Sequence, residues 1–163
     1  MSNEINTEIE SFLTFKLEEE IFAVNVEKVI EIQELRQITK VPKTPAYMKG
    51  VVNLRGSVLP VIDTRIKFGM SQIVETVNTC ILVIKIEIEK DSILLGLLVD
   101  SVQEVLELSS SQINPPPSIG SRYKSEFIIG MGKIKEDFVM LLDIDKIFSV
   151  DDIVDVQQTA AIN

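Results

Sequence analysis

The feature that most constrains this chain is a hairpin frame that occurs twice. Between Tyr47 and Ile66 an apolar run reaches Leu54, bends at Arg55-Gly56 and returns as a second apolar run to Ile62. This predicts a β-hairpin in which Gly56 supplies the positive φ of a tight turn and Arg55 is left standing at the bend. Asp63, just past the returning strand, is placed to N-cap a short helical turn. Phe127 to Ile147 repeats the frame, with Gly130 and Asp143 separated by 13 residues as Gly50 and Asp63 are. An upstream piece repeats as well: Val26 to Ile32 matches Val102 to Leu108, at an offset of 76 residues against 80 for the hairpins.

Two related halves follow from this duplication. In a chain of 163 residues each half would be marginal alone, so one domain is expected in which the halves share a buried interface. Its subdomains are expected at about 11–77 and 78–148, with a C-terminal tail at 149–163. The halves differ chiefly at the bend, where Asn53-Leu-Arg-Gly56 is matched by Lys133-Ile-Lys-Glu136. No role is assigned to that second turn.

Along the chain, Phe12 to Leu17 alternates as a strand, Glu18 to Glu20 is an acidic turn, and Ile21 to Val24 is the next strand. Val26 to Ile30 reads as a helical turn, Ile32 to Val41 as loop with a strand near Ile38 to Val41, and Pro42 to Pro45 forbids helix. Gly69 to Val77 is a polar crossover. Thr79 to Ile88 is a long strand, apolar enough at its start to be buried on both faces, and Ile93 to Val99 returns. Asp100 to Gln103 resembles a capped helix start. Ser109 to Ser111 and Pro115 to Pro117 break the chain, with Ile113 and Ile119 either in a surface contact or buried under their loop. Asp151 to Asn163 is a short docking helix or a frayed tail. About ten short strands with regular breakers make an all-β chain, and duplication makes it two small barrels side by side.

Composition narrows the function. There is no histidine, which excludes Ser-His-Asp arrangements, histidine metal ligands and phosphohistidine chemistry. The glycines form neither a P-loop nor a dinucleotide fingerprint. Cys80, the single cysteine, lies in an apolar strand and reads as a small hydrophobe in a reducing cytosol. Asp63, Asp100 and Asp143 all end strands, where capping is favoured over metal or acid-base roles, so no cofactor is expected. No apolar run reaches the roughly 18 residues of a membrane span, and Ser2 to Glu10 is acidic, unlike a secretory leader.

Charge is uneven. The chain carries −9, yet Arg36 to Lys67 holds seven basic residues against Asp63 alone, making that window +6 and the remainder −15. An acidic remainder argues against non-specific nucleic-acid binding. The window is either a patch for an acidic protein partner or a solvated strand face.

Val51 to Arg65, together with Leu98 to Leu106 and Leu141 to Lys146, resembles the CheW family of bacterial chemotaxis coupling domains from about Phe12 to Phe148. The family's domain also ends the kinase CheA and is fused to a receiver in CheV; this chain has no room for either addition and resembles the stand-alone adaptor. The resemblance implies two five-stranded SH3-like barrels, no catalysis, and a cytoplasmic scaffold recruited to membrane-associated receptor arrays. It implies that the groove between barrels holds the cytoplasmic tip of a methyl-accepting chemoreceptor, at Val29, Glu31, Gly50, Arg55, Cys80, Gly96 and Val102. For Val29, Cys80 and Val102 a plain core role stays open. The regulatory domain of CheA would meet Leu13, Val26 and Ile32 on one surface and Asn114, Ser118 and Ile119 on another. Two departures are Thr64, where the family usually has leucine, and Asn114 with Ser118, where charged residues are usual.

Overall fold

The computed structural model describes residues 8–115, 127–149, 152 and 156. Ten strands form two five-stranded sheets. They are β1 (Ile9–Leu17), β2 (Glu20–Asn25), β3 (Val29–Glu34), β4 (Met48–Leu54), β5 (Ser57–Asp63), β6 (Cys80–Ile88), β7 (Asp91–Val99), β8 (Ser101–Ser109), β9 (Ile128–Ile134) and β10 (Asp137–Leu142). Two four-residue helices, α1 (Thr64–Lys67) and α2 (Ile144–Ile147), follow β5 and β10. Single 3₁₀ turns occupy Val26–Lys28 and Ser110–Gln112.

One sheet has the order β3-β6-β7-β5-β4 and the other β8-β1-β2-β10-β9. Position for position these are the same sheet, with β3, β4 and β5 replaced by β8, β9 and β10, and β6 and β7 by β1 and β2. Each closes into a barrel in the same way. After the edge strand β3, Thr39 pairs with Val51 of the opposite edge through N–H···O bonds of 2.9 and 2.8 Å. After β8, Asn114 pairs with Met131 through two bonds of 2.8 Å. The repeated glycines make the closures possible. A Cβ on Gly50 would sit 2.2 Å from the Thr39 carbonyl oxygen, and one on Gly130 would sit 2.9 Å from that of Asn114.

The barrels do not follow the division at residues 77 and 78. The hairpin β1–β2 precedes β3 in the chain but pairs with β8 and β10, whereas β6–β7 pairs back onto β3 and β5. One barrel is therefore continuous, from β3 to β7. The other is split, with its hairpin at one end of the chain and its remaining strands at the other.

Alternation along the central strands explains why they are apolar throughout. Ile81 and Val83 of β6 fill the continuous barrel, while Leu82, Ile84 and Ile86 face the other way into a cluster shared by both barrels. In β1, Phe12 lies inside the split barrel and Leu13, Phe15 and Leu17 join the shared cluster. That cluster is the largest of the three, as expected for halves too small to stand alone. Thr14 is fully buried at a bulge in the β1–β8 ladder, where its hydroxyl donates to the Glu104 carbonyl (2.8 Å) and accepts from the Glu104 amide (3.0 Å).

Two local expectations are corrected. Asp100 to Gln103 does not start a helix: strand β8 runs from Ser101 to Ser109, held by its long pairing with β1. Ile32 to Val41 is less loop-like than expected, since β3 runs to Glu34; only the Thr39 bridge represents the strand expected near Ile38. A bulge between Val29 and Glu31 breaks the alternation that would have revealed β3.

Candidate functional site

The β4–β5 turn has the geometry its sequence predicts. Arg55 (φ 50°) and Gly56 (φ 88°) both take the left-handed conformation, and the Asn53 side-chain oxygen accepts from the Gly56 amide at 2.8 Å. Arg55 is exposed over 71% of its side chain, yet it does not stand alone. Its guanidinium donates two bonds to the Glu31 carboxylate, at 2.6 and 2.9 Å, in the bidentate fork that arginine favours. Gln33 donates a third, at 2.5 Å. The Arg55 bond, followed by that from Gln33, holds the Glu31 carboxyl below its ordinary value. The bulge in β3 is what points Glu31 this way: Glu31 pairs with Val83, whose side chain lies inside the barrel, so carboxylate and fork meet at the barrel's mouth. On the same strand Ile30 and Ile32 remain about half exposed, at 47% and 49%.

The other expected receptor positions fall into two groups. Val29, Cys80 and Val102 are half-buried and pack against the shared cluster between the barrels. The Cys80 thiol, which burial pushes up, lies against the backbone of Val102. Cys80 does not open a second barrel as expected; it pairs with Glu34 in the barrel that contains Arg55. Gly50 and Gly96 are interior. A Cβ on Gly96 would sit 2.7 Å from Ile81 and 3.2 Å from Leu59 within the continuous barrel, so the absence of a side chain there serves packing.

Of the expected kinase positions, Val26 and Ile32 are exposed, whereas Leu13 is buried in the shared cluster and presents no side chain to a partner. Asn114 closes the split barrel through its backbone, and the residue itself is exposed. Ser118 and Ile119 lie outside the described residues; Ile113 packs against the interior of the split barrel.

The strand-end aspartates diverge. Asp63 caps α1 through the Ile66 amide (3.2 Å) and also accepts from Ile73 (3.0 Å), pinning the crossover that follows. Asp143 occupies the same place before α2 but makes no side-chain cap bond. Asp100 caps no helix. It accepts from the Glu18 amide at 2.5 Å and from Arg65, joining the β1–β2 turn to α1.

Such polar clamps between the barrels were invisible in the sequence. Lys28 bonds Asp145 at 2.7 Å, and Asp145 also accepts from the Glu87 amide at 2.9 Å. The Asp145 hydrogen bond raises the pKa of Lys28. Asp152 accepts from Lys67 (2.7 Å), Tyr47 (2.9 Å) and the Ser149 amide (2.9 Å). The partners are tens of residues apart, so no local pattern announces them. They also redefine the basic window: Arg55, Arg65 and Lys67 carry carboxylate partners, while Lys40, Lys43 and Lys49 have no ion pair among the described residues. Among those residues no group of three or more acidic or cysteine side chains is placed to hold a metal.

A family model described as "CheW-like domain" matches residues 11–152. The chemotaxis protein CheW of Klebsiella aerogenes is 34% identical over 93% of this chain and 89% of its own length. That of Rhizobium meliloti is 35% identical over 83% of this chain and 85% of its own. In three dimensions the chain matches the scaffolding protein TtCheW of Thermoanaerobacter tengcongensis with a TM-score of 0.76 at 28% identity, covering 89% of this chain and 96% of that one.

Proposed function

The chain belongs to the CheW-like family, and from that membership we propose that it is a non-enzymatic scaffold coupling methyl-accepting chemoreceptors to the histidine kinase CheA. The observation that carries this reading is the span of the family match, residues 11–152, which takes in both barrels and the inter-barrel cluster. An adaptor needs separate faces on a rigid body, and the shared cluster and polar clamps supply the rigidity. The receptor face is centred on the Glu31–Arg55 pair. An exposed arginine already locked in register by a half-buried carboxylate loses little side-chain freedom when a partner docks, which favours binding. Val29, Cys80 and Val102 act by shaping the inter-barrel junction beneath that face, and Gly50 and Gly96 act through the fold. The exposed Val26 and Ile32 form one CheA face; Ser118 and Ile119 belong to the second. With no helix among the described residues long and apolar enough to cross a membrane, receptor contact is what brings the protein to an array.

The test is a pull-down of wild type and Arg55→Ala with a receptor signalling fragment and, separately, with the CheA regulatory domain. Wild type is expected to bind both and the variant to lose mainly the receptor. A wild type that binds neither overturns the coupling role.

A further inference from the structure

The closure of the continuous barrel places two lysines where no carboxylate among the described residues forms an ion pair with them. Lys40 follows the bridging Thr39 and Lys49 lies two residues before its partner Val51, so the two bonds that shut the barrel set both lysines at one cavity of about 250 Å³. Thr44, Pro45 and Gln72 contribute to the wall. Asp63 is the one carboxylate lining it, but that side chain is 99% buried, with its two oxygens taken by the Ile66 and Ile73 amides. Neither lysine has an ion pair among the described residues, in a chain where acids outnumber bases 25 to 16. The other barrel is an internal control. At the equivalent places beside its closing bridge stand Pro115 and Ile129, so the architecture does not require cations there.

We infer that the Lys40–Lys49 cavity is a docking site for a carboxylate side chain from an acidic segment of a partner protein. Lysine suits this role because its ammonium donates in three directions without the planar match a fixed fork demands. The site is distinct from the Arg55 turn, which lies at the far end of β4 and has its own carboxylate in Glu31.

The probe is a glutamate-rich synthetic decapeptide, with its glutamine counterpart as the neutral control, followed by amide shifts in the full-length protein. Shifts at Lys40, Val41, Lys49 and Gly50 are expected with the glutamate peptide only. K40E and K49E should each weaken binding roughly fivefold, and the double variant should lose more than either single one. K133E/K135E, in the β9–β10 hairpin, should bind as wild type does, and all variants should keep the wild-type melting temperature. Equal loss in K133E/K135E, shifts with the glutamine peptide, or the same shifts from inorganic phosphate alone would each overturn the site. Because no receptor or kinase enters the assay, its outcome is separate from that of the coupling role.

Discussion

Gly50→Ala tests the closure of the barrel most directly. The added methyl would lie 2.2 Å from the Thr39 carbonyl oxygen, 2.8 Å from the carbonyl carbon and 2.8 Å from the Ile38 side chain. Backbone cannot yield as a side-chain tip does, so the bridging segment must move away. That breaks the 2.9 and 2.8 Å bonds between Thr39 and Val51, at about 1 kcal/mol each net. Gly50 also sits at φ 151°, where a side chain adds roughly 1 to 3 kcal/mol of strain. The sum is about 3 to 5 kcal/mol, or a fall of roughly 10 °C in melting temperature for a domain of this size. Gly130→Ala provides the comparison: its backbone clash is 2.9 Å, its closest contact at 2.5 Å is the Ile113 side chain, and its φ is not positive. It should cost less. Urea unfolding of both variants measures the difference. A Gly50→Ala protein within about 1 kcal/mol of wild type, or less damaged than Gly130→Ala, would refute the closure argument.

Thr14→Val keeps the shape of a fully buried side chain but strands the Glu104 amide and carbonyl, so chemical denaturation should show a loss of about 1 to 3 kcal/mol with no change in fold by circular dichroism. Arg55→Ala should leave the unfolding midpoint unchanged while the Glu31 carboxyl rises toward its ordinary 4.5, read by NMR titration; a carboxyl that does not move would show that the fork is not what holds it down. Asp152 has its pKa lowered because, although burial works to raise it, the bonds from Lys67, Ser149 and Tyr47 together outweigh that effect. A depressed folded value means stability that is present above the ordinary 3.8 and lost as pH falls through the folded value. Asp152→Asn should therefore be less stable than wild type at about pH 6, with the gap closing toward about pH 2. A gap independent of pH would assign the effect to packing instead.

Legibility followed the range of each interaction. The β4–β5 hairpin, the Gly56 turn and the Asp63 cap were readable because each is settled within a few residues by backbone sterics and local hydrogen bonds. Strand β6 announced its burial on both faces through an unbroken apolar start. Strand β8 did not announce itself: with four of its nine residues partly buried, four exposed and only Leu108 buried, its apolar spacing satisfied a helical template equally well. Arg55 was recognised as the residue at the bend but not as a paired one, since Glu31 is 24 positions away and turned toward it by a bulge. Leu13 was assigned to a surface for a related reason. An alternating strand has two faces, and only the packing of a second barrel makes both of them core.

By itself, then, the sequence settled that this chain is all-β, duplicated, built on paired hairpins and without histidine chemistry, because periodicity, turn residues and composition act locally. Tertiary structure decided which hairpin completes which barrel. Alternation specifies that β1 and β6 must be covered but carries no address for the covering strand, and lengthening the intervening loop costs little entropy. It also decided which cations are neutralised: Arg55, Arg65 and Lys67 meet carboxylates brought from elsewhere in the chain, whereas Lys40 and Lys49 line one cavity beside a closure that only Gly50 permits and have no ion pair among the described residues.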